Sequence, residues 1–225
     1  MEEILQSPLF GISITLIAFS IGEIIYKKVK SPLCSPFICA VIFIASFLVI
    51  FKIPTNYYKN GGSIIQMILL PATTSIGLSM YKKLSVIKEN LLPILIGTFV
   101  GSLSSIVSII ILCKIFNLNE NIYNAMLPKS VTTSIAIDLA QKRNAIIPVA
   151  IASVVLTGIF GAILSPILIK ILKLKNPISI GIAMGTSSHG IGTAKAIEIG
   201  ETEGALSGIA MGLTGIITVI ILLFI

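Results

Sequence analysis

Of the 225 residues, 55% are hydrophobic and 11% charged, and the mean hydropathy is +1.05. A soluble domain carries about 45–50% apolar and 25% charged residues, so this composition excludes a soluble fold, which has no way to hide so much apolar surface. The net charge of +7 comes from 16 basic residues scattered in short clusters, with no continuous basic face and interleaved aromatics, which points to loops at lipid headgroups and excludes nucleic acid as a partner.

An α-helix crosses a bilayer with about 20 mainly apolar residues, and runs of that length follow one another from Leu9 to the end of the chain. The fold class is therefore an all-α, polytopic integral membrane protein. Hydropathy predicts segments at 9–26, 33–51, 61–80, 91–113, 122–140, 145–172, 177–199 and 204–225. The opening MEEILQSPLFG has two acids and no base, so it lacks the basic region of a cleavable signal peptide, and the first segment is expected to stay. Near its end Glu23 has Lys27 at i+4, the spacing of a boundary salt bridge. Cys34, Cys39 and Cys113 lie in apolar stretches without CxxC or Cys/His spacing, so they read as free thiols, and no metal site is expected. The loops around Lys82, Gln141 and Glu201 are short, which predicts one transmembrane domain over 1–225.

Lys27, Lys28, Lys30, Lys82, Lys83 and Lys88 favour two alternate loops facing inward, with the N-terminus outside. Beyond Lys114 two topologies stay open. If every segment crosses, Lys142 and Arg143 face inside and Lys170, Lys173 and Lys175 outside; a re-entrant 122–140 reverses both.

Three stretches differ in kind from the rest: 71–79 (PATTSIGLS), 128–138 (PKSVTTSIAID) and 184–195 (MGTSSHGIGTAK) place Pro, Gly, Ser, Thr, Lys and His at membrane depth. These are signals of broken or re-entrant helices, which survive in a membrane only when buried in protein or lining a water-filled cavity. TTSI occurs at Thr73–Ile76 and at Thr132–Ile135, each time after a proline and ahead of a later proline-containing helix (Pro93, Pro148), which suggests an internal repeat, parallel or inverted. GIAMG at 208–212 reads as helix packing.

The freed N-terminus of a broken helix carries partial positive charge, which with Ser and Thr hydroxyls suits a small carboxylate. Lys129, Thr132 and Thr133 stand at i, i+3 and i+4, so on a helix they would share a face beside Ser130; the plainer reading is a snorkelling lysine and threonines bonded to their own backbone. Asp138 has Lys142 at i+4, which favours a helix-end ion pair over proton coupling. The sole histidine, His189, lies among Ser187, Ser188, Gly190, Gly192 and Thr193, with Lys195 as a second cation. An ionisable group at this depth is a candidate for anion binding or proton relay, weighed against a histidine satisfied inside a bundle. Ser187, Ser188 and His189 do not make a hydrolase, since neighbours on a helix point about 100° apart and no GxSxG elbow or paired-acid arrangement occurs. The chain is read as a non-enzyme without a cofactor.

PKSVTTSIA at 128–136, GTSSHGIGTAKA at 185–196 and GALSGIAMGLTGI at 204–216 resemble, in this order, the LrgB/CidB family of bacterial membrane proteins. Ser134 departs from it where many members have proline, and Arg143–Asn144 where a glycine pair is common. The resemblance implies an antiholin-like protein or effector of murein hydrolase export in the cell membrane, beside a small holin-like LrgA/CidA partner. Related plastid proteins carry glycolate and glycerate, and some bacterial pairs are linked to pyruvate uptake. This implies a transporter or facilitator of small monocarboxylates of the pyruvate, lactate and glycolate class, with the carboxylate at Lys129, Thr132, Thr133 and His189. The rival implication is a regulatory subunit that restrains a holin-like pore and so controls murein hydrolase activity and autolysis. A homo-oligomer is compatible with either.

Overall fold

The computed structural model describes residues 2–29, 34 and 36–225, apart from the side chains of residues 2, 3, 69, 70, 72 and 73. Lys30 lies outside the described residues, as does the side chain of Thr73. Among the described residues the regular structure is helical. Two compact units emerge, Met1–Ser75 and Ile76–Ile225.

The first unit contains α1 (Glu2–Gln6), α2 (Pro8–Val29), α3 (Pro36–Ile50) and α4 (Thr55–Met67). Helix α2 is long and apolar enough to cross a membrane. It begins on Pro8, whose missing N–H costs nothing in a first turn, and Lys27 and Lys28 lie in its last turn, where cations meet the negative end of the helix dipole. The Glu23–Lys27 bridge does not form; the ion pairs among the described residues lie elsewhere. Helices α2 and α4 approach backbone to backbone at paired glycines. A Cβ on Gly11 would stand 2.6 Å from the Tyr58 carbonyl oxygen and 2.9 Å from the Gly61 Cα, the small-residue contact that membrane helices use in place of hydrophobic drive.

The expected segment 61–80 is two helices: α4 starts earlier, at Thr55, and after Ile68 α5 (Leu69–Lys82) follows. The break foreseen within 71–79 does not occur. Pro71 falls in the first turn of α5, where no intrahelical N–H is required, so PATTSIGLS continues as helix.

The second unit is built from the later part of α5, then α6 (Leu84–Glu89), α7 (Leu91–Ile115), α8 (Glu120–Met126), α9 (Thr133–Lys142), α10 (Ile147–Ile171), α11 (Pro177–Ile199) and α12 (Glu201–Leu222). Helices α7, α10 and α12 are long and apolar enough to span. The segments expected at 122–140 and 177–199 do not cross; each doubles back. Helices α8 and α9 lie side by side, since Ala125 and Ala140 are buried together with Ala150 and the Arg143 Nη1 donates to Asn124 Oδ1 at 3.0 Å. In α11 the register breaks at His189 (φ 42°, ψ −132°). On a straight helix Ile180 and Ala196 would stand about 24 Å apart, yet both belong to one buried cluster with Met184. Both arms also touch Ser207 of α12: Gly185 faces its carbonyl, and Thr193 Oγ1 lies 2.9 Å from its hydroxyl.

The hairpins enter from opposite ends. Lys83 Nζ meets Glu201 Oε2 at 3.2 Å, which puts the start of α7, both feet of the α11 hairpin and the start of α12 at one end. Arg143 Nη2 donates to the Leu222 carbonyl at 2.8 Å, and Leu139 is buried with Cys113 and Leu222, so the feet of the α8–α9 hairpin lie at the other. A hairpin followed by a crossing helix thus occurs twice, in inverted sense. The TTSI peptides do not mark this relation: Thr73–Ile76 lies inside α5, whereas Thr132 is the extended N-cap of α9. Of the GIAMG pair, Gly208 packs against Ile76 and Met80 while Gly212 faces open space.

Two predictions follow from this geometry. With Cys34, Cys39 and Cys113 replaced, cysteines at Lys175 and Ile199 should react with an impermeant thiol reagent from the same face, and cysteines at Asn117 and Asn144 from the opposite one; a crossing α11 would separate 175 from 199. Lys82, Lys83, Lys88, Lys170, Lys173 and Lys175 make the first of these faces cytoplasmic. Gly185→Ala, which would drive a Cβ into the Ser207 backbone, should lower stability by about 1–3 kcal/mol in detergent unfolding, and Gly212→Ala should leave it unchanged.

Candidate functional site

The tip of the first hairpin is the non-helical stretch 127–132. Leu127 and Val131, each 1% exposed, wedge it into the unit, and Lys129 between them is half-buried. Lys129 Nζ donates to Ser105 Oγ of α7 at 3.0 Å and to Ser130 Oγ at 3.3 Å, and the two hydroxyls are 2.9 Å apart. The shared helical face expected for Lys129, Thr132 and Thr133 does not exist, because helix begins only at Thr133, with Thr132 as N-cap (φ −66°, ψ 152°). The first backbone bond of α9 runs from Ala136 N to Thr132 O, so the positive end of this short helix is directed at the tip.

At the second tip the Ser187 and Ser188 hydroxyls lie 2.9 Å apart. His189 is buried, its Nε2 3.0 Å from the Val154 carbonyl of α10, a bond the ring makes as donor in its Nε2–H form. Thr193 donates to the His189 carbonyl at 2.9 Å and meets Ser207. These bonds hold the reversal of the chain. A Cβ on Gly192 would strike Ser188 and, at 2.7 Å, the Met184 carbonyl, whereas Gly190 has its nearest neighbour, Met211 Sδ, at 4.0 Å.

The remaining candidates stand apart. Lys195 is paired with Glu198 at 2.6 Å, so it is no second free cation. Asp138 is exposed on α9, and the ion pair expected with Lys142 does not form.

Two cavities converge on the tips. One, of about 840 Å³, runs between α7 and the first arm of α11 from Asn90 and Asn176 to Ser105, Lys129 and Ser187. The other, of about 470 Å³, follows α10 past Ser165 and Thr157 to Lys129, Ser187 and Ser188. Lys129 and Ser187 border both. Sequence reasoning missed Ser105 and Thr186, which line the larger cavity. Gly97, Gly101 and Ser105 recur every fourth residue, a small-residue face on an otherwise apolar helix that was the available signal.

A lysine at membrane depth costs about 2.5–3.5 kcal/mol on insertion scales, and here no carboxylate of the described residues lies within ion-pair distance of it. Hydroxyls solvate the Lys129 ammonium without neutralising it, which leaves a positive site facing a cavity. Among the described residues no cluster of His, Cys, Asp or Glu is arranged to hold a metal ion.

Apolar spanning helices and polar hairpin tips enclosing a cationic site define a multi-pass membrane protein. The sequence model of the LrgB-like family matches residues 15–225. The chain belongs to that family. It is 35% identical over 218 residues to the antiholin-like protein LrgB of Bacillus subtilis (strain 168), covering 96% of this chain and 94% of the relative. The antiholin-like LrgB proteins of Bacillus mycoides (strain KBAB4) and Bacillus cereus (strain B4264) are each 32% identical over 96% of this chain and 95% of their own length. No solved structure matches the chain.

His189 adopts a backbone conformation that costs an L-residue about 1–3 kcal/mol. His189→Ala keeps that strain and loses the bond to Val154, whereas His189→Gly loses the bond and relieves the strain. Unfolding in detergent should find the glycine variant about 1–2 kcal/mol more stable than the alanine variant; equal stability would show an unstrained tip.

Proposed function

We propose that this protein carries small monocarboxylates across the membrane, with Lys129 as the carboxylate-binding cation. The observation that supports this most is the position of Lys129 on a broken-helix tip, without a protein carboxylate, bordering two cavities. A cation kept at this depth at such cost serves a ligand more readily than it serves packing. Ser105, Ser130 and Ser187 supply hydroxyls around it, and the N-terminus of α9 adds partial positive charge. His189 and Thr193 position the second tip instead of binding substrate, since their polar atoms are used inside the protein. A small holin-like LrgA/CidA-type membrane protein is the proposed partner.

The names of the relatives favour a second reading: an antiholin-like subunit that controls murein hydrolase activity and autolysis. The two readings are compatible, because movement of weak acids alters proton balance.

Uptake of labelled pyruvate, lactate and glycolate into proteoliposomes, with and without the partner and an imposed proton gradient, separates them. Saturable uptake that falls about tenfold or more in Lys129→Ala is expected, the loss of one charge-assisted contact being worth at least about 1.4 kcal/mol. Absence of uptake for every substrate, with folded protein and partner present, would leave the regulatory reading.

A further inference from the structure

Thr186 is 5% exposed, and its Oγ1 is one of two buried side-chain polar atoms of the described residues without a hydrogen-bond partner. An unpaired buried hydroxyl costs about 1–3 kcal/mol, so its retention calls for a reason. Two observations locate it. Thr186 lines the same cavity as Lys129, and its side chain packs onto Gly101 of α7, where any Cβ would strike the Thr186 Cγ2. Gly101 lies one helical turn before Ser105, the residue that anchors Lys129 Nζ at 3.0 Å. The Thr186 hydroxyl is therefore displaced by about one turn, roughly 5.4 Å, along the cavity wall from the Lys129 ammonium.

That separation fits a small anion bridging the two, its carboxylate on Lys129 and an oxygen on the adjacent carbon at Thr186. A threonine hydroxyl donates to a 2-oxo group and accepts from a 2-hydroxyl, so either satisfies it, and an alkyl group satisfies neither. We propose that Thr186 is a specificity-determining residue that selects carboxylates bearing an oxygen at C2 over plain alkanoates. The proposal rests on the monocarboxylate reading and deepens it. Gly101 supplies the clearance, since a larger residue there would push Thr186 off the wall.

Calorimetric titration of the purified full-length protein with pyruvate, lactate and propionate, which are of similar size, tests it without requiring transport. Wild type should prefer pyruvate and lactate to propionate by about tenfold or more, as sites built to hydrogen-bond a substrate reject the analogue that lacks the group. Thr186→Val should abolish that preference with propionate binding unchanged, and Thr186→Ser should keep it. If the valine variant does not fold, Thr186→Ala, which only removes atoms, gives the same reading. A preference that survives in the valine or alanine variant, or an equal loss for all three ligands, overturns the proposal alone. A wild-type protein that binds none of them overturns the monocarboxylate reading and the proposal together.

Discussion

Inside a bilayer every backbone N–H and C=O must find a partner within the protein, and the second unit is organised around the two places where a helix fails to supply one. At 127–132 and at His189 the chain leaves helical geometry, and both stretches are enclosed by α7, α10 and α12. Their burial is nearly complete: Leu127, Val131 and Ser188 are each 1% exposed or less. Enclosure dictates much else, because three crossing helices must approach the hairpins closely enough to exclude lipid.

Glycine makes that approach available. Gly158 and Gly161 of α10 leave room for His189 and Ser188, Gly181 and Gly185 of α11 lie on the backbone of α12, and Gly101 of α7 admits Thr186. Without a hydrophobic drive between helices in lipid, such contacts supply dispersion and fix the relative height of the elements. The same contacts bring polar atoms to the centre. Ser188 faces the α10 wall because Gly161 has no side chain, and Ser105 meets Lys129 on the face of α7 that Gly97 and Gly101 keep low.

The polar groups at the tips divide into two kinds. His189, Thr193 and Ser207 spend their hydrogen bonds on one another and on Val154, which fixes a backbone conformation that a regular helix forbids. Lys129, Ser187 and Thr186 face space, and Lys129 carries a charge that no described carboxylate balances. A strained tip held rigid beside an unbalanced cation is a preorganised arrangement, in which a ligand pays little for ordering the groups that bind it.

The sequence by itself determined the membrane as solvent, the helical class and the family, because apolar runs and the stretches 128–136, 185–196 and 204–216 are local properties of the chain. It also placed Lys129, Ser187 and His189 at non-helical points, since Pro, Gly and Ser at membrane depth leave few alternatives. It misjudged 71–79, where the same residue types open an ordinary helix, and it counted 122–140 and 177–199 as crossings. Hydropathy measures how apolar a segment is and is blind to whether the chain reverses within it. Only the tertiary structure decided the reversals, because contacts such as Ala125 with Ala140 and Ile180 with Ala196 join residues whose pairing no local pattern encodes. It alone assigned Lys195 to Glu198, His189 to Val154, and Ser105 and Thr186 to the Lys129 cavity, since a cavity is defined by elements far apart in sequence.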